Sequence, residues 1–134
     1  MSMWLTLVKT DPARAEEVRR TPDSAAALLD DESSSDAHGE DFRALGDIAE
    51  GRAEAEEGTV DWMDVYPALA QATGEGCTAL EGDHGHDYVF VLTAAEVAAV
   101  TTGLAAEGWT GFLEIARFYE AAATEGRAVV GGIA

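Results

Sequence analysis

The densest group of side chains able to do chemistry in this chain is Glu81-Gly-Asp-His-Gly-His-Asp87. In an extended segment His84 and His86 point to the same side, and Asp83 and Asp87 add oxygen donors, a set that zinc, nickel or iron accepts. A divalent metal is the one cofactor these residues suggest. The spacing fixes no third ligand, and a glycine-punctuated turn carrying two surface histidines accounts for the same residues more simply. Cys77 is the only cysteine, so no intrachain disulfide forms and no set of thiol ligands is available.

Other catalytic signatures are missing. No phosphate-cradling glycine loop precedes Lys and Ser or Thr, and neither G-x-G-x-x-G, G-x-S-x-G nor His-Glu-x-x-His occurs. With 26 carboxylates, an acid/base pair such as Asp61 with Asp64 can be drawn almost anywhere and specifies nothing. Trp62 and Tyr66 either line a ligand pocket or are core residues at helical spacing.

Charge carries more information. Twenty-six acidic residues against eight basic ones give a net charge of −18 in 134 residues. Such a field repels nucleic-acid phosphates, and the basic side chains needed for counterion release are too few. Residues 1–20 carry a balance of +1, whereas residues 21–81 hold 16 acids against Arg43 and Arg52, a balance of −14. A cationic protein partner therefore docks, if anywhere, on the first half of the chain. The carboxylates that would meet it are Asp30, Asp31, Glu32, Asp36, Glu40, Asp41, Glu54, Glu56 and Glu57. A purely solubilising acidic face explains the same charge.

The elements that must position these groups follow from pattern. One domain is expected at this length, with a core of its own. The opening lacks the basic and long apolar regions of a signal peptide, and no segment approaches the roughly 20 apolar residues of a membrane span, so a soluble, cytoplasmic protein is expected. Strands are expected at Met3–Val8, at Tyr88–Leu92 and over the closing segment Arg127–Ala134. Gly131 and Gly132 in that last strand suggest a bulge or a close backbone approach. Asp11-Pro12 and Thr21-Pro22 read as helix starts. The polar stretch from Asp30 to Asp41 reads as a mobile loop, with His38 as a solvated residue in it.

Phe42, Leu45, Ile48 and Ala49 recur at helical spacing, and so do Trp62, Val65, Tyr66 and Leu69. Pro67 conflicts with a helix from Trp62, and Asp64 capping a helix that starts at Val65 resolves the conflict. Thr93-Ala-Ala-Glu96 is a capping box that hands the Tyr88–Leu92 strand, taken as the centre of the sheet, to a helix ending near Ala106. The final helix is expected to open at Trp109 and to bury Phe112, Ile115, Ala116, Tyr119 and Ala123. The layout is α+β, with helices packed on a small mixed sheet.

Three segments resemble the YfbM-like bacterial proteins, a family of unknown function: Met1-Ser-Met-Trp-Leu-Thr-Leu7, Asp61-Trp62 through Leu69 to Gly74, and Phe112 to Ile133 with Phe118-Tyr119-Glu-Ala-Ala122. Leu92-Thr-Ala-Ala-Glu-Val97 is similar to that family's step from strand to helix. The histidine that follows Trp in the family falls on Tyr66 here, so no chemistry of that histidine carries over. The resemblance implies an α+β fold and no catalytic residue.

Two expectations of function result. The first is a non-catalytic acidic binding protein that engages a cationic protein, such as the immunity or antitoxin member of a pair. The alternative is a small enzyme or a metal- or small-molecule-binding protein using the Asp83-His84-Gly85-His86-Asp87 loop.

Overall fold

A computed structural model describes residues 3–31, 34–77, 79–82, 86 and 88–134. The chain runs β1 (Trp4–Thr10), α1 (Pro12–Arg20), a 3-10 turn at Pro22–Ser24, α2 (Ala25–Leu29), β2 (Ala37–Asp41) and α3 (Phe42–Glu57). It continues through α4 (Trp62–Val65), α5 (Pro67–Ala72), β3 (Tyr88–Leu92), α6 (Ala94–Ala106), α7 (Glu114–Thr124) and β4 (Ala128–Ile133). This is an α+β fold whose four strands lie in the order β2-β1-β4-β3. Every pairing is antiparallel, so the sheet expected to be mixed is not.

Side chains alternate across the sheet and build two cores. On one face Leu5, Leu7, Phe90, Leu92, Val129 and Ile133 pack against helices α3 to α7. On the other, Val8, Val89, Val91, Ala128 and Val130 meet Ala15 and Val18 of α1 and Ala25 and Leu29 of α2. Three layers result, with the sheet in the middle. Each fully buried Leu, Val or Phe contributes about 1.5–3 kcal/mol relative to exposure, so the two cores together hold the sheet between the layers.

The inner strands are β1 and β4, and β3 is an edge, contrary to the expectation that Tyr88–Leu92 lies at the centre. Its apolar run is explained by helices on both faces rather than by strands on both sides. Beside it, the Leu80 amide donates to the Val89 carbonyl at 2.8 Å and Ala79 bridges Phe90, which covers part of that edge. All six residues of β4 are buried. A Cβ on Gly131 would overlap the Phe90 ring, and one on Gly132 would fall 2.8 Å from Leu29 Cδ1. The β1–β4 register is unbroken. The paired glycines therefore serve close approach, not a bulge.

The acidic stretch from Asp30 to Asp41 is not a loop throughout. Residues 37–41 form β2 on the outer edge of β1, in register from Trp4 opposite Asp41 to Val8 opposite Ala37. A strand that only satisfies backbone groups on a sheet edge needs no large apolar side chain. The glycine at 39 leaves room for the Trp4 indole, whose Nε1 would lie 2.9 Å from a Cβ there. His38 is not a free surface residue. Its ring sits 5.7 Å from that of Phe118, and Nε2 is 2.8 Å from Glu40 Oε1.

Pro67 begins a helix instead of interrupting one. Trp62–Val65 forms a single turn, Tyr66 breaks from helical geometry, and Pro67 takes the first position of α5. The helix start at Val65 is thus replaced by two short helices, and the proline obeys the same rule as Pro12 and Pro22. The last helix opens at Glu114, not Trp109. Gly108 and Gly111, both at φ +80, bracket a turn that leaves Trp109 fully buried and Phe112 64% exposed. Phe112 therefore leaves the expected buried stripe, while Ile115, Ala116 and Tyr119 keep their places in it. The capping box holds as read: Thr93 Oγ1 accepts from the Glu96 amide at 3.2 Å, and Glu96 Oε1 accepts from the Thr93 amide at 2.9 Å.

Candidate functional site

Helix α3 divides into three stripes. Leu45, Ala49 and Ala53 recur every four residues and are buried. Arg52 and Glu56 project from one flank of that stripe. Asp47, Glu50, Glu54 and Glu57, at i, i+3, i+7 and i+10, project from the other. The helix is started by Asp41, whose carboxylate accepts from the Arg43 amide at 2.9 Å and the Ala44 amide at 3.4 Å. It is stopped by Gly58 at φ +70.

The first flank is closed on itself. The Arg52 guanidinium lies 4.2 Å from the centre of the Trp109 ring and 5.2 Å from that of Tyr66, and Arg52 Nε donates to Glu56 at 3.3 Å. Tyr66 packs edge-on to Trp109 at 5.0 Å and donates its hydroxyl to Glu56 at 3.1 Å. Burial pushes the Tyr66 hydroxyl above its usual range, and the Glu56 carboxylate adds to the shift, so the hydroxyl stays a donor. Trp109 Nε1 donates to Glu107 at 3.1 Å. Glu107 also accepts from the amides of Ala68 at 2.9 Å and Leu69 at 3.2 Å, at the start of α5. Outside this set, the exposed Phe112 ring stacks on Trp109 at 6.0 Å.

The second flank is open. Asp47, Glu50, Glu54 and Glu57 are exposed and have no ion-pair or side-chain hydrogen-bond partner among the described residues. Asp47 and Glu50 rim a pocket of about 440 Å³ between α3 and α4, whose walls include Met3, Phe42, Trp62 and Met63. Carboxylates over an apolar floor suit a ligand that is cationic at one end and apolar at the other.

The other acidic positions singled out from sequence are divided in the same way. Asp36 pairs with Arg127 at 3.1 Å, and Arg127 also reaches Glu125 at 3.3 Å. The hydrogen bond to Asp36 leads in raising the Arg127 guanidinium above its ordinary value. Glu40 holds His38, Asp41 caps α3, and Glu56 holds Arg52 and Tyr66. Asp36, Glu40, Asp41 and Glu56 are thus committed within the chain, and Asp31 is not free either. Asp30 is exposed at the end of α2, and Asp31 lines a cavity with Lys9, Asp36 and Arg127. Glu32 lies outside the described residues.

Trp62 and Tyr66, grouped by sequence, separate: Trp62 lines the open pocket and Tyr66 belongs to the closed flank. Sequence reading missed Asp47, Glu50, Met3, Phe42 and Met63 at this pocket. The 47, 50, 54, 57 spacing was the available signal. Asp83, His84 and Asp87 of the expected metal loop lie outside the described residues. His86 is described, and its ring lies against β4, 2.9 Å from where a Cβ on Gly132 would be. Among the described residues no three His, Cys, Asp or Glu side chains come together as a metal site. The half-buried Cys77 thiol is pushed up to about 11, mainly by burial, with Glu96 and Glu75 adding, and it stays protonated at neutral pH.

No helix among the described residues is long and apolar enough to cross a membrane. Comparison with known protein families, with characterised proteins and with solved structures found no match.

Proposed function

We propose that this protein is a non-catalytic acidic binding protein that engages a cationic protein partner through the open flank of α3, in the manner of the immunity or antitoxin member of a pair. One observation supports the reading: four exposed carboxylates on one helical stripe have no ion-pair or side-chain hydrogen-bond partner among the described residues, and two of them rim a pocket with apolar walls. Unpaired like charges three and four residues apart repel one another and lower helix stability by a few tenths of a kcal/mol per pair. A basic surface laid over them removes that repulsion. Complementary charge also speeds association and makes it sensitive to salt.

The test is recovery of a partner from the native host on the immobilised protein at low salt. A basic protein that is captured at 50 mM salt and released at 500 mM is the expected result. Replacing Glu50, Glu54 and Glu57 together by lysine should abolish capture. Recovery of no basic protein, or unchanged capture by the triple variant, would overturn the reading.

A further inference from the structure

Trp62 is 7% exposed, yet its indole Nε1 donates no hydrogen bond among the described residues. A fully enclosed indole N–H without a partner is unfavourable, and no described buried side-chain nitrogen is left in that state. The nitrogen is therefore reached from outside, and the α3–α4 pocket that Trp62 lines is the way in. Gly46 adjoins that approach: a Cβ there would be in ordinary contact with Nε1, at 3.7 Å.

The pocket thus offers one donor, the accessible Trp62 indole N–H, the charged side chains of Asp47, Glu50 and Arg43, and soft apolar surface from Met3, Phe42 and Met63. Its size falls in the range of sites that enclose a small ligand or a few side chains. An occupant that satisfies all three needs an acceptor for the indole N–H, a cation for Asp47 and Glu50, and an apolar group for the floor. A polypeptide segment with a basic and an apolar side chain next to each other has all of these, since its backbone carbonyl is the acceptor. Arg43 stands on the same flank one turn before Asp47 and repels a cation from that end. This directs the basic side chain toward Glu50 and the carboxylates beyond it.

We infer that this pocket is the anchor site of the interface, taking a lysine or arginine side chain and the adjoining apolar residue of the partner, with Trp62 Nε1 donating to the segment's backbone carbonyl. The inference rests on the partner-binding reading above.

The experiment follows the three indole N–H signals of the ¹⁵N-labelled protein, one per tryptophan. The probe is a blocked tetrapeptide of alternating lysine and leucine, and the control is its glutamate–leucine counterpart. The Trp62 signal, assigned by its loss in Trp62→Phe, should shift saturably with the lysine peptide while that of Trp109 stays in place. The paired substitution Asp47→Asn and Glu50→Gln, at the exposed rim, should weaken binding about tenfold. No shift, an equal shift with the glutamate peptide, or unchanged affinity in the rim variant would overturn the inference.

The two levels fail separately. A captured partner that is lost on reversing Glu50, Glu54 and Glu57 but binds Trp62→Phe unchanged overturns the anchor and leaves the partner reading standing. A peptide that binds as described, with no basic partner recovered, overturns the partner reading and leaves the pocket.

Discussion

The two flanks of α3 both carry carboxylates and behave differently. On one, Glu56 accepts from Tyr66 and Arg52, Arg52 lies over Trp109, and Glu107 ties Trp109 to the start of α5. Every charge there has a task inside the molecule. On the other, Asp47, Glu50, Glu54 and Glu57 have no ion-pair or side-chain hydrogen-bond partner among the described residues. Net charge counts both flanks alike. The second has more charge left over for a partner, because the carboxylates of the first already face a guanidinium or spend acceptor sites on donors within the chain.

Stability experiments test this division, and the largest effect belongs to the closed flank. Trp109 is fully buried beneath Arg52 and beside Tyr66. Trp109→Ala should cost about 3–5 kcal/mol in urea unfolding. A cost below about 1 kcal/mol would mean that the closed flank is not a packed unit. Glu107→Ala comes next: it leaves the Trp109 indole N–H and two amides of α5 without their acceptor. The expected loss is about 1–3 kcal/mol. Because Glu107 is partly exposed, water takes up some of those donors and favours the lower end.

Two glycines inside α3 sharpen the comparison on a smaller scale. Gly51 has nothing near the position of a Cβ, and Gly46 has only Trp62 Nε1 at 3.7 Å. Each change to alanine should stabilise the helix by about 0.5–1 kcal/mol, read as a rise of a few degrees in Tm. The two should then part company. Gly51→Ala should leave binding of the lysine–leucine peptide unchanged, whereas Gly46→Ala, which places a methyl beside the indole N–H, should weaken it. Equal effects on binding would remove Trp62 from the site.

Much of the fold was legible in the residues, and the failures have physical causes. Thr93 and Glu96 specify their cap through local chemistry alone, so the step from β3 to α6 could be read directly. Pro12 and Pro22 were equally plain, and Pro67 misled only because the aromatic spacing from Trp62 to Leu69 spans two helices that share one buried side. β2 was illegible because its stability comes from pairing with β1, which a sequence window does not contain. The candidate site was legible as charge but not as a place. Asp36, Glu40, Asp41 and Glu56 look in sequence like Glu54 and Glu57, and only their partners, up to 91 positions away for Asp36 and Arg127, set them apart.

The smallest stability effect belongs to the open flank, and there it is the informative one. Replacing Glu50, Glu54 and Glu57 by lysine breaks no described ion pair or side-chain hydrogen bond; the three lysines repel one another as the glutamates did, and only the pair with Asp47 turns attractive. Thermal and urea unfolding should move by no more than about 0.5 kcal/mol in either direction. Association with a basic partner should meanwhile slow by about tenfold or more at low salt, with the difference shrinking as salt rises. Loss of binding together with loss of fold would say that these carboxylates hold the molecule together as Glu56 does, and the two flanks would then be alike. Loss of binding with the fold intact separates a surface that stabilises the chain from one that is free to meet another.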